Sequence, residues 1–516
     1  MKLVAWIRSA AFVLGVTAFG QLAHAANLLA AEQAIRELDV TRAASLLEGA
    51  RGPDASYLRA LLAVYRADCD GAVAVLASPA LRERPEVASL YDLARRCAAA
   101  TAGGVVVDDA KRGVWLRLQD EADKALAPLL AESAARARDA LERDLGVTLP
   151  RPLRIDVVRD LFSLSAVSGL PLEAAETTGT VAVARWGRVT FISPRATQRG
   201  YAWQDTLAHE IAHLLLARGS ADHAPLWLQE GIAKREETRW RSARAFDREP
   251  SPDRVAFDAL RQGKSVGIDQ LGPSIAMLPS PESASIAFAE VTSFMGYWIE
   301  QNGPLALSLL LADMKVTRDA ERAMRSVSGY TLSEWKLRWQ AWLTERMADA
   351  APLPEDASPL YGTQKQAEPR EVARWLRLGE LLSNAGHSKA LLSLLEPDLK
   401  VAPQVAPLRW QLGRAAWLEG RPDAQALLGD VRDVDSVHGA WLALRGHWAL
   451  GADETTRNAE ELWEHAVALD PLFVDVACEG YPKELPLPSA PPPLPEDPAR
   501  RALCEHVRTL PTRGSE

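Results

Sequence analysis

The sequence predicts an α+β chain in which a mixed α/β segment is flanked on both sides by all-helical ones. Three observations lead there. Residues 26–104 are rich in Ala and Leu, with apolar residues at helical spacing. Residues 105–350 bring in short β-branched runs and hairpin turn chemistry. Beyond a Pro-rich and polar linker at 351–370, small and aromatic residues recur at a fixed interval through 371–472. A chain of 516 residues is long enough for about three domains with cores of their own. With 48% hydrophobic and 25% charged residues, it is too apolar to be disordered. Lys plus Arg number 59 against 68 Asp plus Glu, so no basic face is implied and no nucleic-acid partner is expected.

The first 25 residues read as an address. Lys2 and Arg8 precede an apolar stretch from Ser9 to Leu22, and Ala23-His24-Ala25 has the small-x-small pattern of a cleavage site. This is the pattern of a secretory signal peptide cut after Ala25, with an apolar run too short to span a bilayer comfortably. The chain is therefore expected to be exported, periplasmic or secreted, with no transmembrane span. Export permits disulfides. The simplest pairing of the four cysteines is Cys69–Cys97 and Cys478–Cys504, with free buried thiols as the alternative.

In the N-terminal segment, Ala43, Leu46 and Leu47 follow a turn at Asp39, and Ala72, Val75 and Leu76 follow one at Asp68–Asp70. That is the pattern of two helix-turn-helix units. Next come a strand at Val114–Leu118, a long amphipathic helix at Glu121–Leu145 and a strand at Ile155–Val158. Val181–Ala184 and Val189–Ile192 form a hairpin around Arg185-Trp186-Gly187-Arg188, stopped by Pro194. Helices are expected at Trp203–Ala217, Leu226–Arg239, Ser285–Gln301 and Leu332–Arg346, the first of them stopped at Arg218-Gly219.

After the linker, Trp375-Leu376-Arg377-Leu378-Gly379 is followed by Gly386 and Ala390. Thirty-four residues later stand Leu412-Gly413, Gly420 and Ala424. A looser third unit runs from Trp441 to Leu469-Asp470-Pro471. A 34-residue period with W-x-x-L-G and a closing Pro resembles the tetratricopeptide repeat, which implies stacked helix pairs presenting a concave protein-binding surface. Residues 473–516 form a Pro-rich C-terminal tail.

The chemistry lies between 209 and 230. His209-Glu210-Ile211-Ala212-His213 is H-E-x-x-H. On a helix, residues four apart share a face, so both imidazoles can reach one ion. Glu210 is rotated by about 100° from His209, near enough to meet a water at that ion without ligating it. A catalytic zinc takes three protein ligands and keeps one open position. The short loop from Arg218 to Ala224 returns the next helix antiparallel, which brings Glu230 level with the histidines as the best third ligand. His223 and Asp222 on that loop are its rivals, and Glu236 and Glu237 read as a solvated face. Gly231 is expected to let the two helices approach closely.

His209–His213 followed by Glu230, with a strand hairpin before and W-L-x-E-G-x-A around the second carboxylate, resembles the gluzincin clan of zinc metallopeptidases. The likeness is greatest to bacterial peptidase MA-like domain proteins, many of which carry tetratricopeptide repeats, and it covers roughly Val105 to Ala350. It implies a zincin-like (thermolysin-type) catalytic domain, with Zn²⁺ held by His209, His213 and Glu230 and with Glu210 as general base. It also implies that the hairpin's edge strand binds an extended peptide by β-addition. Two positions depart from the pattern. Lys234 stands where an Asp usually holds a ligand histidine, leaving Asp205 as a weak substitute, and Phe288 stands where a Tyr is often found. Tyr297 could replace that hydroxyl, but it reads more readily as a core aromatic. The expectation is an exported zinc-dependent peptidase whose repeats recruit a protein substrate or an envelope protein partner. The alternative is a non-catalytic envelope scaffold, and a third and weaker reading is hydrolysis of a non-peptide amide.

Overall fold

A computed structural model describes residues 25–350 apart from 83, 179, 197–200, 242–249 and 273, residues 370–400 and 405–429, and single positions at 442, 445, 446 and 462. Residues 1–24 of the expected signal peptide, residues 351–369 of the expected linker, the expected third repeat unit apart from isolated positions, the C-terminal tail, and Cys478 and Cys504 lie outside the described residues. The described chain is mixed α and β, mostly helical, with a five-stranded sheet.

The N-terminal segment is helical throughout: α1 (residues 25–36), α2 (Val40–Leu47), α3 (Pro53–Tyr65), α4 (Cys69–Leu76), α5 (Pro79–Arg82) and α6 (Pro85–Thr101). The two Asp turns are N-caps. Asp39 accepts from the Arg42 N–H at 3.0 Å and Asp68 from the Gly71 N–H at 2.8 Å, satisfying donors that the first helical turn leaves unpaired.

The sheet follows, as β1 (Val105–Asp109), β2 (Val114–Leu118), β3 (Leu153–Val158), β4 (Ala182–Arg185) and β5 (Arg188–Ile192), in the spatial order β1-β2-β3-β5-β4. β2, β3 and β5 run parallel in the centre, and β1 and β4 lie antiparallel at the two edges. Sequence reading did not anticipate β1. The β4–β5 hairpin turns on Trp186 (φ 57°) and Gly187 (φ 69°), two left-handed residues in the pattern of a type I′ turn. The helix expected at Glu121–Leu145 is divided. A 3₁₀ segment, Glu121–Leu126, leads into α7 (Ala127–Leu145), because Pro128 has no N–H to donate and so belongs in a first turn.

Strand alternation gives the sheet two buried faces. Val114, Leu116, Ile155, Val157, Val189 and Phe191 point into the main core with α7. The other face carries Val158 and Ile192 against α8 (Leu161–Ser168), together with Cys69 and Cys97. Within this second layer Asp156 is buried between two guanidiniums, Arg117 Nε at 2.6 Å and Arg188 Nε at 2.8 Å. A pair of buried cations beside one anion needs further acceptors. Arg117 therefore donates to the Ala67 carbonyl at 2.8 Å and Arg188 to the Val64 carbonyl, both at the α3–α4 turn. The N-terminal helices are thus bonded directly to the middle of the sheet.

Cys69 and Cys97 form a disulfide across 28 residues, linking α4 to α6. Closing a loop of that length restricts the unfolded chain by about 3–4 kcal/mol. Replacing both cysteines by Ala is expected to lower the unfolding free energy by about that amount in a denaturant titration.

The remaining helices of the central segment are α9 (Leu172–Thr178), α10 (Trp203–Ser220), α11 (Leu226–Glu236), α12 (Pro252–Gln262), α13 (Pro281–Asn302), α14 (Ala306–Thr317), α15 (Ala320–Ser328) and α16 (Leu332–Arg346). α10 outruns the expected stop at Arg218-Gly219 and ends on left-handed Ala221. Gly219 serves packing there, since a Cβ would stand 2.9 Å from Val147 and 3.1 Å from Leu311. Beyond the linker lie α17 (Arg370–Asn384), α18 (Ser388–Leu399), α19 (Ala406–Leu418) and α20 (Ala424–Leu428). The glycines at equivalent positions mark close helix approaches: a Cβ on Gly379 would meet Gln411 and Leu395, and one on Gly413 would meet Leu428.

Candidate metal centre

α10 and α11 run antiparallel, and their register fixes the site. His213 Nδ1 lies 3.1 Å from Gln229 Oε1, and His209 Nδ1 lies 3.4 Å from Glu237 Oε2, so lower numbers on one helix meet higher numbers on the other. Glu230 falls between the two rings. Its Oε2 is 3.5 Å from His209 Nε2 and 3.7 Å from His213 Nε2, and the two Nε2 atoms are 3.2 Å apart. Zinc bonds of about 2.0–2.2 Å to N and O put tetrahedral donors roughly 3.3–3.6 Å apart, so the three donors span one face of such a tetrahedron. Among the described residues, this trio alone brings three potential ligand atoms within 4.8 Å of one another. The loop rivals His223 and Asp222 fall outside it.

Both rings are oriented for that role. With His213 Nδ1 at Gln229 Oε1 and His209 Nδ1 toward Glu237 Oε2, each Nε2 faces the common centre, where a neutral ring would present its lone pair. Asp205, suggested as the acceptor, is engaged elsewhere. It accepts from Trp240 Nε1 at 3.1 Å and Arg241 Nε at 2.7 Å. The carboxylate nearest His209 Nδ1 is Glu237, which caps α11 two helical turns beyond Glu230 and stands 3.4 Å away as an ion-pair partner without a formed hydrogen bond. Lys234, one turn from each, pairs with Glu237 Oε1 at 2.9 Å and lies 5.8 Å from the Phe288 ring centroid.

The reading of Glu236 and Glu237 as a solvated face is therefore corrected. α11 is enclosed by α10 on one side and α13 on the other, so its carboxylates find partners inside. Glu236 is fully buried beside Arg235 and Arg239, and burial raises its pKa. Gly231 also differs from expectation. A Cβ there would stand 2.6 Å from the Val291 carbonyl oxygen and 2.8 Å from Met295, so the close approach it allows is to α13 and not to α10. One residue after Glu230, it is turned about 100° from the site. Trp227, Phe294 and Trp339 stack edge to face behind α11, with centroids 5.8 and 6.1 Å apart, and hold it in place. Tyr297 is a core aromatic packed against Trp335 and Trp342.

Glu210 is buried at the edge of the site, where the Ala184 backbone of β4 donates to its carboxylate. Burial raises its pKa, with Glu230 adding to the effect and the two histidines opposing it. For His209, burial alone would lower the pKa. Its contacts with Glu230 and Glu237 outweigh that and push it up to about 10. In the metal-free protein an imidazolium thus supplies the positive charge that the two carboxylates demand.

The trio and Glu210 open into a cleft of about 1530 Å³. It is bordered by β4, by α1 and α3, and by the stretch from Ser274 to Phe288. Replacing Glu237 by Ala is expected to weaken zinc binding about 10- to 100-fold in competition with a chromophoric chelator, whereas Glu237→Gln, which keeps an acceptor oxygen, retains most of it. No protein-family model matches the chain, and no curated protein or solved structure is significantly similar to it.

Proposed function

We propose that the protein is an exported zinc-dependent peptidase with a zincin-like catalytic domain, extended by tetratricopeptide-like helices α17–α20 that recruit a protein substrate or partner. The observation that carries this reading is the convergence of His209, His213 and Glu230 at tetrahedral spacing with Glu210 beside them, in a cleft bordered by an edge strand. A closed structural site has no use for a buried carboxylate next to an open position.

A bound Zn²⁺ would supply Lewis acidity, polarising the scissile carbonyl and acidifying a water. The chain's own residues do the rest. Gln229 and Glu237 hold the two imidazoles, and Lys234 holds Glu237. Glu210 takes the proton of the attacking water and returns it to the departing amine nitrogen as the C–N bond breaks. As an edge strand, β4 leaves main-chain groups outside the ladder for an extended peptide, apart from the Ala184 N–H that Glu210 holds. Among the described residues no helix is long and apolar enough to cross a membrane.

The test is zinc content and peptide hydrolysis on the full chain. The expected result is one zinc per chain, hydrolysis of a denatured protein substrate, its loss on chelation and its return with one equivalent of zinc. A zinc-loaded protein that cuts nothing would leave the envelope scaffold, with the repeats as its binding surface.

A further inference from the structure

The cleft has a direction. Thr206, His209, His213 and Ala217 form one stripe of α10 along its floor, and β4 runs beside them. At one end of β4 the hairpin tip meets the N-terminal helices. The Trp186 and Tyr65 rings pack edge to face with centroids 6.0 Å apart, and a Cβ on Gly187 would stand 2.9 Å from Tyr65 and 3.3 Å from Leu38. That end is therefore walled by α3 and α1, and the other end by the Ser274–Phe288 stretch.

The wall is built from carbon. Tyr57, Leu61 and Tyr65 recur every four residues and so share one face of α3, and Leu28 and Leu29 of α1 line the cleft beside them. Leu29 is 69% exposed, an apolar side chain in the cleft left open among the described residues. Among the charges that also line this end, Arg185 at the end of β4 lies over the Trp186 ring and donates to the Gly169 carbonyl at 3.2 Å, and the others are matched. Glu32 pairs with Arg36 at 3.0 Å, Arg36 also faces the Asp222 carboxylate, and Asp54 pairs with Arg84 at 2.7 Å. The wall is also fixed, because the C-terminal end of α1 is tied to α14 and α10: Glu37 pairs with Lys315 at 3.0 Å, and its carbonyl accepts from Arg218.

We propose that this wall is a side-chain subsite for large apolar residues (Leu, Phe, Tyr, Met) of an extended peptide, at a fixed offset from the bond cut. It rests on the peptidase reading. The occupant follows from continuity: a strand added along β4 from the metal centre runs straight onto the wall, and its alternate side chains turn to one side.

Cut sites of the zinc-loaded protein in a denatured protein digest, read by mass spectrometry, should be enriched in those residues at one offset. Leu29→Asp and Leu29→Ser, both surface changes, should each abolish that enrichment and lower kcat/KM for the best peptide at least tenfold. Zinc content and cleavage of peptides lacking the residue should stay unchanged. A flat preference, or variants that cut like wild type, would overturn the subsite. Binding separates this from the peptidase reading itself. Even if nothing is cut, a fluorescent Leu/Phe-rich peptide should bind the zinc-loaded protein at least tenfold more tightly than an Asp/Gly-rich one, and equal affinities would again overturn the subsite.

Discussion

Glu210→Gln should slow hydrolysis about 10²–10⁴-fold while leaving one zinc bound per chain. The substitution keeps the shape and both hydrogen-bonding ends of the side chain but removes its capacity to carry a proton from water to the departing amine. General-base steps contribute roughly 10²–10⁴-fold to rate, so kcat should fall within that range with little change in KM. The metal remains because Glu210 is absent from the donor trio. Hydrolysis at an undiminished rate in this variant would remove the base assignment, and loss of zinc would mean that Glu210 had been wrongly separated from the ligands.

Glu230→Ala should do the reverse and take the metal away. It deletes one of three donors and leaves two histidines 3.2 Å apart with no anion between them. Zinc affinity should drop by more than about 100-fold, beyond the range that loss of an outer partner such as Glu237 produces. His223→Ala should leave affinity unchanged. The pH dependence carries a definite sign. His209 is protonated in the metal-free protein up to a pKa of about 10, so zinc must displace that proton. Affinity should therefore rise with pH, about tenfold per unit while one proton is released, and fall on acidification. Isothermal titration in buffers of different ionisation enthalpy reads the proton directly. A pH-independent affinity between 6 and 9 would overturn the arrangement.

Much of this site was legible in the linear order of residues because its parts are local. The i, i+4 histidines and the short return to Glu230 lie within 22 residues, where helical periodicity and loop length alone determine which groups meet. The hairpin was equally plain, since Trp186-Gly187 sits between two β-branched runs. The partners of the rings were not legible. Glu237 looks like any exposed helical carboxylate until α13 is known to cover α11. Gln229 lies beside Glu230, on a face that only the crossing of two helices selects. β1, α8, α9, α12, α14 and α15 escaped because each is short, 5 to 12 residues, which gives a periodicity few repeats to show. Nothing local in residues 25–65 hints that they border the cleft, because their meeting with residues 184–217 spans more than a hundred positions.

The paired guanidiniums around Asp156 bear on how this protein can be divided. The change of pattern near residue 104 invites cutting there to obtain a smaller catalytic fragment. Such a cut would strip Arg117 and Arg188 of the Ala67 and Val64 carbonyls and bare one side of the sheet, orphaning charge in the middle of an otherwise sealed layer. The two stretches are separable on paper and inseparable as matter, and recombinant work should keep them together.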